Sequence, residues 1–317
     1  MDLSTDPFFL GMPKHLQEKV LHVAAIKTAP QAGALENARS IEHTSLTGAE
    51  TKQEIEALCR EAIGNGNNSA AAVCIFGERV LPGGLAVAKK TLSGNDIDLA
   101  AVNAFPCPQE YTPEEIYEEA KADIAAGAQH LDTVFDVLAF MDGDFEAVVA
   151  KLNAVRRAVD EHNSTLAPDE NPVILKTIMQ TAAFENYQDL FQACIMALEC
   201  GADYLKTSTG KGNPHLNLDK DSASLMAGAT LMQAVADFED LTGYQRMIKI
   251  SGGVGKTLDT APVDTMRYKI LMDLITSRPN DLRYGTSGGS LDSLRIYAQY
   301  GFQASPPSQN GPEPAGY

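Results

Sequence analysis

The chain has 317 residues, 44% of them hydrophobic, and 42 acidic against 25 basic side chains give it a formal charge of −17. This length buries a large core, and because α/β barrels run to about 250 residues as one unit it does not demand two domains. The acidity argues against nucleic acid as a partner, since no local basic stripe offsets it, and any anionic substrate must be drawn in by local groups.

The first residues, MDLSTDPFFLGMPKH, lack a basic region followed by an apolar one, so no signal peptide is read. No apolar run approaches the roughly 20 residues that cross a bilayer. A cytoplasmic protein without membrane contact is the expectation. Cys59, Cys74, Cys107, Cys194 and Cys200 are odd in number and include neither CxxC nor a Cys/His cluster at zinc spacing. Reduced thiols, no metal and no cofactor are expected.

Residues 1–37 read as an N-terminal extension with one amphipathic helix over 16–26. From residue 38 to 302 short apolar runs alternate with helical patterns. Strands are expected at 40–46, 71–76, 98–105, 130–135, 173–178, 203–206, 247–251 and 282–285. Helices are expected at 51–63, 85–92, 113–126, 144–162, 185–200, 222–238, 259–276 and 291–300. Eight strand-then-helix repeats predict a parallel sheet with right-handed crossovers, closed as a TIM (β/α)8 barrel. Residues 303–317, QASPPSQNGPEPAGY, are too polar and too rich in Pro and Gly to pack a core, and read as a mobile tail.

Working residues of such barrels sit at the C-terminal ends of the strands, with phosphate commonly held after strands seven and eight. In GADYLKTSTGK, residues 201–211, Lys206 stands where a strand becomes a loop; in MIKISGG, residues 247–253, Lys249 lies inside an apolar strand. A buried ammonium is costly and shifts its pKa readily, so it needs a reason. A single lysine here would be read as one that snorkels to solvent. Two on neighbouring strands can approach, and a nearby cation favours the neutral, nucleophilic amine. Gly252, Gly253, Ser287 and Gly288, at a loop and a helix start, suit an anion. Asp132 is a third charge inside an apolar strand, either neutralising a lysine or holding a water for proton transfer. Lys176 either pairs with Asp132 or balances charge, and Cys74 reads as a small core residue.

Gly255-Lys256-Thr257 looks like the end of a P-loop, but that motif needs glycine where Ile250 stands. Gly210-Lys211 fails likewise, because Gly212 replaces the required Ser or Thr.

GADYLKTSTGK with KISGGVGK resembles the deoxyribose-phosphate aldolases, Schiff-base enzymes on a TIM barrel. The likeness extends through IEHTSL, SAAAVCIF, NAFP, LDTVF, VILKTI and RYGTSGG, across most of residues 40–300. It implies that Lys206 forms the Schiff base, Lys249 lowers its pKa and Asp132 relays protons, without metal. Gly210, Lys211, Gly252, Gly253, Ser287 and Gly288 would hold the substrate phosphate, with Lys176 and Glu42 in support. It also implies a role for the terminal Tyr317 in proton transfer at the enamine carbon. The partners implied are a phosphorylated sugar and an aldehyde; a homodimer is carried as an expectation that the sequence does not fix.

Four places depart from the family pattern. Glu42 stands for the usual aspartate, Asp136 for a proline, Gly255-Lys256 for an arginine, and Cys107-Pro108 for the residues after Phe-Pro. The rival readings are a Schiff-base aldolase for another phosphorylated sugar and a catalytically silent phosphosugar-binding barrel.

Overall fold

The computed structural model describes residues 3–65, 68–286 and 288–301. Eight strands, β1 (Ile41–Thr44), β2 (Ala72–Phe76), β3 (Asp98–Asn103), β4 (His130–Val134), β5 (Ile174–Ile178), β6 (Tyr204–Lys206), β7 (Met247–Ser251) and β8 (Leu282–Thr286), follow one another in space as in sequence. Each pairs parallel with the next and β8 returns to β1, so the sheet closes as a TIM barrel. Helices between the strands cover its outside.

The helices start where side chains satisfy their first N–H groups. Thr51 and Glu54 form a capping box for the helix Lys52–Ile63, and Thr112 and Glu115 do so for Pro113–Ala126, where Pro113 also fits the first turn. Two short helices beyond the expected set, Pro7–Gly11 and Ala34–Ala38, precede the barrel, and a third, Val137–Met141, follows β4. Asp136, one of the four departures, caps it by accepting a hydrogen bond from Ala139 N at 3.2 Å. The third strand ends two residues earlier than the apolar run suggested. Glu119, buried on the next helix, accepts from Asn103 Nδ2 at 3.0 Å and Ala104 N at 2.8 Å, which takes the backbone out of the ladder.

Before the barrel, the helix Lys14–Ala24 buries Leu16, Val20 and Val23 against the helices Leu225–Thr242 and Ala261–Thr276. Arg267 ties the chain after it by donating to Ile26 O at 3.0 Å.

Side chains alternate across a strand, so each strand sends every second residue to the barrel interior. Val73, Ile75, Leu99, Ala101, Leu131, Leu175, Leu205 and Ile248 belong to the large core shared with the helices. Cys74, Phe76, Ala100, Val102, Val134 and Ile178 form a second apolar cluster with the opposite parity. The same parity brings Glu42, Asp132, Lys176, Lys206 and Lys249 inward, all of them buried. The interior therefore has an apolar side on β2 and β3 and a charged side from β4 to β7 and β1.

Candidate active site

Sheet register sets the charged cluster. Lys206 of β6 is the direct partner of Lys249 on β7, and Asp132 of β4 that of Lys176 on β5. Asp132 Oδ2 accepts from both Lys206 Nζ at 2.8 Å and Lys249 Nζ at 2.7 Å. Lys176 Nζ donates to both carboxylate oxygens of Glu42 at 2.8 Å and lies 3.3 Å from Asp132 Oδ1. Glu42 Oε2 also accepts from Lys249 Nζ. Glu42 thus reaches across from β1 and bridges two of the lysines.

Three lysines share two carboxylates, Glu42 and Asp132, so one positive charge is left over if all five groups ionise. The amines do not bear it equally. Burial pushes Lys206 below the usual amine range; Asp132 opposes this and the Lys249 charge adds to it. Burial acts the same way on Lys249, but Asp132 and Glu42 together overcome it and hold that amine above its ordinary range. Burial would raise Glu42, yet Lys176 and Lys249 bring its pKa down to about 2. Asp132 is likewise held well below its normal range, against burial, by Lys176, Lys206 and Lys249. Among the described residues Asp132 Oδ1 takes no hydrogen bond. His130, on the same face of β4, is driven down to about 3 by burial and Lys176, and so stays neutral beside them.

Lys206 lines a cavity of about 260 Å³ at the mouth of the barrel, together with Thr44, Leu46, Thr209, Gly210, Lys211, Ser251, Gly252 and Thr286. Two further cations, Lys220 and Lys256, also line it. Neither was singled out as an anion-binding group in the sequence, although Lys220 lies in the same loop as Lys211 and Lys256 follows the Gly252-Gly253 turn. Gly210 and Gly252 adopt φ of 74° and 75°, a left-handed backbone that favours glycine. Gly253 does not line the cavity: a Cβ there would meet Ala223 O at 2.7 Å, so close packing accounts for it. Gly288 stands immediately before the helix Gly289–Tyr300, whose start is held against the Gly255-Lys256 segment by Ser290 Oγ donating to Gly255 O at 2.7 Å and Ser293 Oγ to Lys256 O at 2.9 Å.

Two supporting residues gave no signal in the sequence. Gly285 on β8 leaves room for a lysine stem, since a Cβ would lie 2.8 Å from Lys249 Cε and 2.3 Å from Ser251 Oγ. Asp221 is fully buried and shapes the loop after β6, accepting from Thr209 N at 2.6 Å and Ala182 N at 3.3 Å, while burial pushes its carboxyl up to about 6. Both act by close approach across more than ten residues of chain, which no local motif reports. Ser287 and Tyr317 lie outside the described residues.

A family model described as DeoC/LacD family aldolase matches residues 31–266. The deoxyribose-phosphate aldolase of Agrobacterium fabrum is 29% identical over 269 residues, which cover 85% of this chain and 93% of that protein. That of Deinococcus radiodurans is 32% identical over 224 residues, covering 68% and 92%. The solved structure titled as a tetrameric deoxyribose phosphate aldolase from Aeropyrum pernix covers 88% of this chain and 97% of its own with a TM-score of 0.59, at 19% identity, which speaks for the fold alone. On the family match and these relatives, the chain belongs to the DeoC/LacD family of aldolases.

Proposed function

We propose that the chain cleaves 2-deoxy-D-ribose 5-phosphate reversibly to acetaldehyde and D-glyceraldehyde 3-phosphate through a Schiff base on Lys206. The observation that carries this reading is the contrast between two adjacent buried amines. Lys206 faces the cavity with its pKa lowered, while Lys249 beside it is held charged. The neutral amine of Lys206 attacks the aldehyde carbon, and loss of water leaves an iminium. A base takes the proton of the C3 hydroxyl, the C2–C3 bond breaks, and its electron pair enters the iminium to form an enamine as glyceraldehyde 3-phosphate departs. Protonation of the enamine at C2 and hydrolysis return acetaldehyde and the free amine.

Asp132 fits the proton-handling role through a water, because Oδ2 is committed to two lysines while Oδ1, 3.3 Å from Lys176 Nζ, takes no hydrogen bond among the described residues. Lys249 remains the fixed cation that disfavours a second charge on Lys206. Lys211, Lys220 and Lys256, with the backbone at Gly210, Gly252 and Gly288, form the phosphate end of the site in this reading. Lys176 and Glu42 hold Asp132 and Lys249 in place. Tyr317 is assigned proton transfer at the enamine carbon from the family resemblance; slower exchange of the acetaldehyde methyl protons in Tyr317→Phe, with trapping intact, supports that role.

The test is borohydride reduction in the presence of acetaldehyde, followed by peptide mass spectrometry. The adduct is expected on Lys206. An adduct on Lys249 overturns the assignment of roles, and no adduct at all overturns the mechanism.

A further inference from the structure

The Cys107 departure acquires a meaning once the loops are folded. Cys107 follows β3 and precedes a 3-10 turn, Pro108–Glu110, whose backbone closes through Glu110 N donating to Cys107 O at 3.1 Å. Side chains three residues apart eclipse in such a turn, so the Cys107 thiol and the Glu110 carboxylate share one side. His215, in the loop after β6, meets them there, with its Nε2 3.1 Å from Glu110 Oε1. Sulfur, carboxylate oxygen and imidazole nitrogen all lie within 4.8 Å of one another. Zinc spacing was absent from the sequence because the histidine is 105 residues beyond the glutamate.

We propose that Cys107, Glu110 and His215 form a zinc-binding site that clasps the β3 and β6 loops together at the mouth of the barrel. The donor set is one thiolate, one carboxylate and one imidazole, a combination that suits Zn²⁺, with water in the fourth position. Ligands about 2.0–2.3 Å from a tetrahedral ion stand roughly 3.3–3.8 Å apart, so the three atoms need draw together by no more than about 1.5 Å. The two turns are already braced against each other. Asn213 is buried and accepts from His215 N at 3.1 Å, while its Nδ2 donates to Gln109 Oε1 at 3.4 Å in the other turn and to Gln180 Oε1 at 2.9 Å. Lys151 anchors the first turn from below by donating to Pro108 O at 2.8 Å. None of the three ligands lines the lysine cavity, so the clasp is separate from the proposed Schiff-base chemistry.

The experiment is equilibrium dialysis of the full chain, stripped with chelator, against Zn²⁺ alone, with metal analysis and thermal unfolding. One zinc per chain is expected, together with a Tm raised by a few degrees. Cys107→Ser and His215→Ala should each weaken binding at least about 100-fold, beyond the roughly 10- to 100-fold typical of outer-shell losses. Cys200→Ser, which lies before β6 at the opposite end of that strand from His215, should retain it. Should Cys107→Ser fail to fold, Glu110→Gln and His215→Ala, at exposed positions, report on the same site. No retained zinc, or zinc retained equally by the His215→Ala and Glu110→Gln variants, overturns the site; one bound zinc without a rise in Tm overturns the clasp.

Discussion

Lys206 and Lys249 face each other in register on β6 and β7 and donate to the same oxygen of Asp132, yet their acidities move in opposite directions. The difference lies in the second carboxylate: Glu42 reaches Lys249 and not Lys206. Lys249→Leu removes the cation that opposes charge on Lys206 and leaves Asp132 to favour it. The kcat/KM profile, which rises as Lys206 loses its proton, should shift to higher pH, and turnover at neutral pH should fall about 10²- to 10⁴-fold. An unshifted profile at normal rate sinks the paired-lysine argument.

Glu42 links stability to acid. Its pKa is about 2 in the fold against an ordinary 4.5, so its contribution is fully present above about 4.5 and is lost as the pH falls through 2. Glu42→Gln should flatten that part of the acid-unfolding curve. At neutral pH it should cost about 3–5 kcal/mol, because Lys176 and Lys249 lose a partner in a buried site. Urea titrations at pH 3, 5 and 7 measure both effects; an equal loss at all three pH values contradicts the assignment.

The cations at the mouth should affect binding of the phosphorylated substrate and little else. Lys220→Ala and Lys256→Ala are each expected to raise KM for deoxyribose 5-phosphate about tenfold, the scale of one lost charge-assisted hydrogen bond, while leaving KM for free deoxyribose nearly unchanged. Equal rises for both sugars would place these lysines outside the phosphate site.

A glycine is the least conspicuous part of the machinery. Gly285→Ala puts a methyl within 2.8 Å of Lys249 Cε and 2.3 Å of Ser251 Oγ. The lysine stem must shift, so turnover should drop and the pH profile should move in the same direction as in Lys249→Leu, with a smaller amplitude. A stability loss without any change in the profile would make Gly285 a packing residue only.

The barrel was legible because β-strand signals are local: apolar runs at 130–135 and 247–251 report themselves, and the lysines and aspartate inside them stand out as exceptions. The charge partners were legible as types but not as a circuit. Nothing near Glu42 in the chain indicates that it bridges Lys176 and Lys249, since those contacts depend on strand register and on the closure of β1 against β8. Lys220, Asp221 and Gly285 were invisible for the same reason: loop geometry and close approach decide their roles, and neither leaves a periodic trace. Of the four family departures, Glu42 lies inside the lysine cluster, and Asp136 caps a helix and pairs with Lys151 at 2.6 Å.

The way the charges are distributed along the chain has a consequence for biosynthesis. Glu42 and Lys249 are 207 residues apart, and the five charged groups come from five different strands. A nascent chain that has reached β5 holds Lys176, Asp132 and Glu42 without the last two lysines, and no open sheet can bring the first strand to the seventh. Slippage of any one of these strands by a single residue would turn its charged group out among the helices and an apolar one in. In the proposed mechanism, chemical competence therefore arrives only at ring completion, when β1 closes on β8 and Glu42 reaches Lys249.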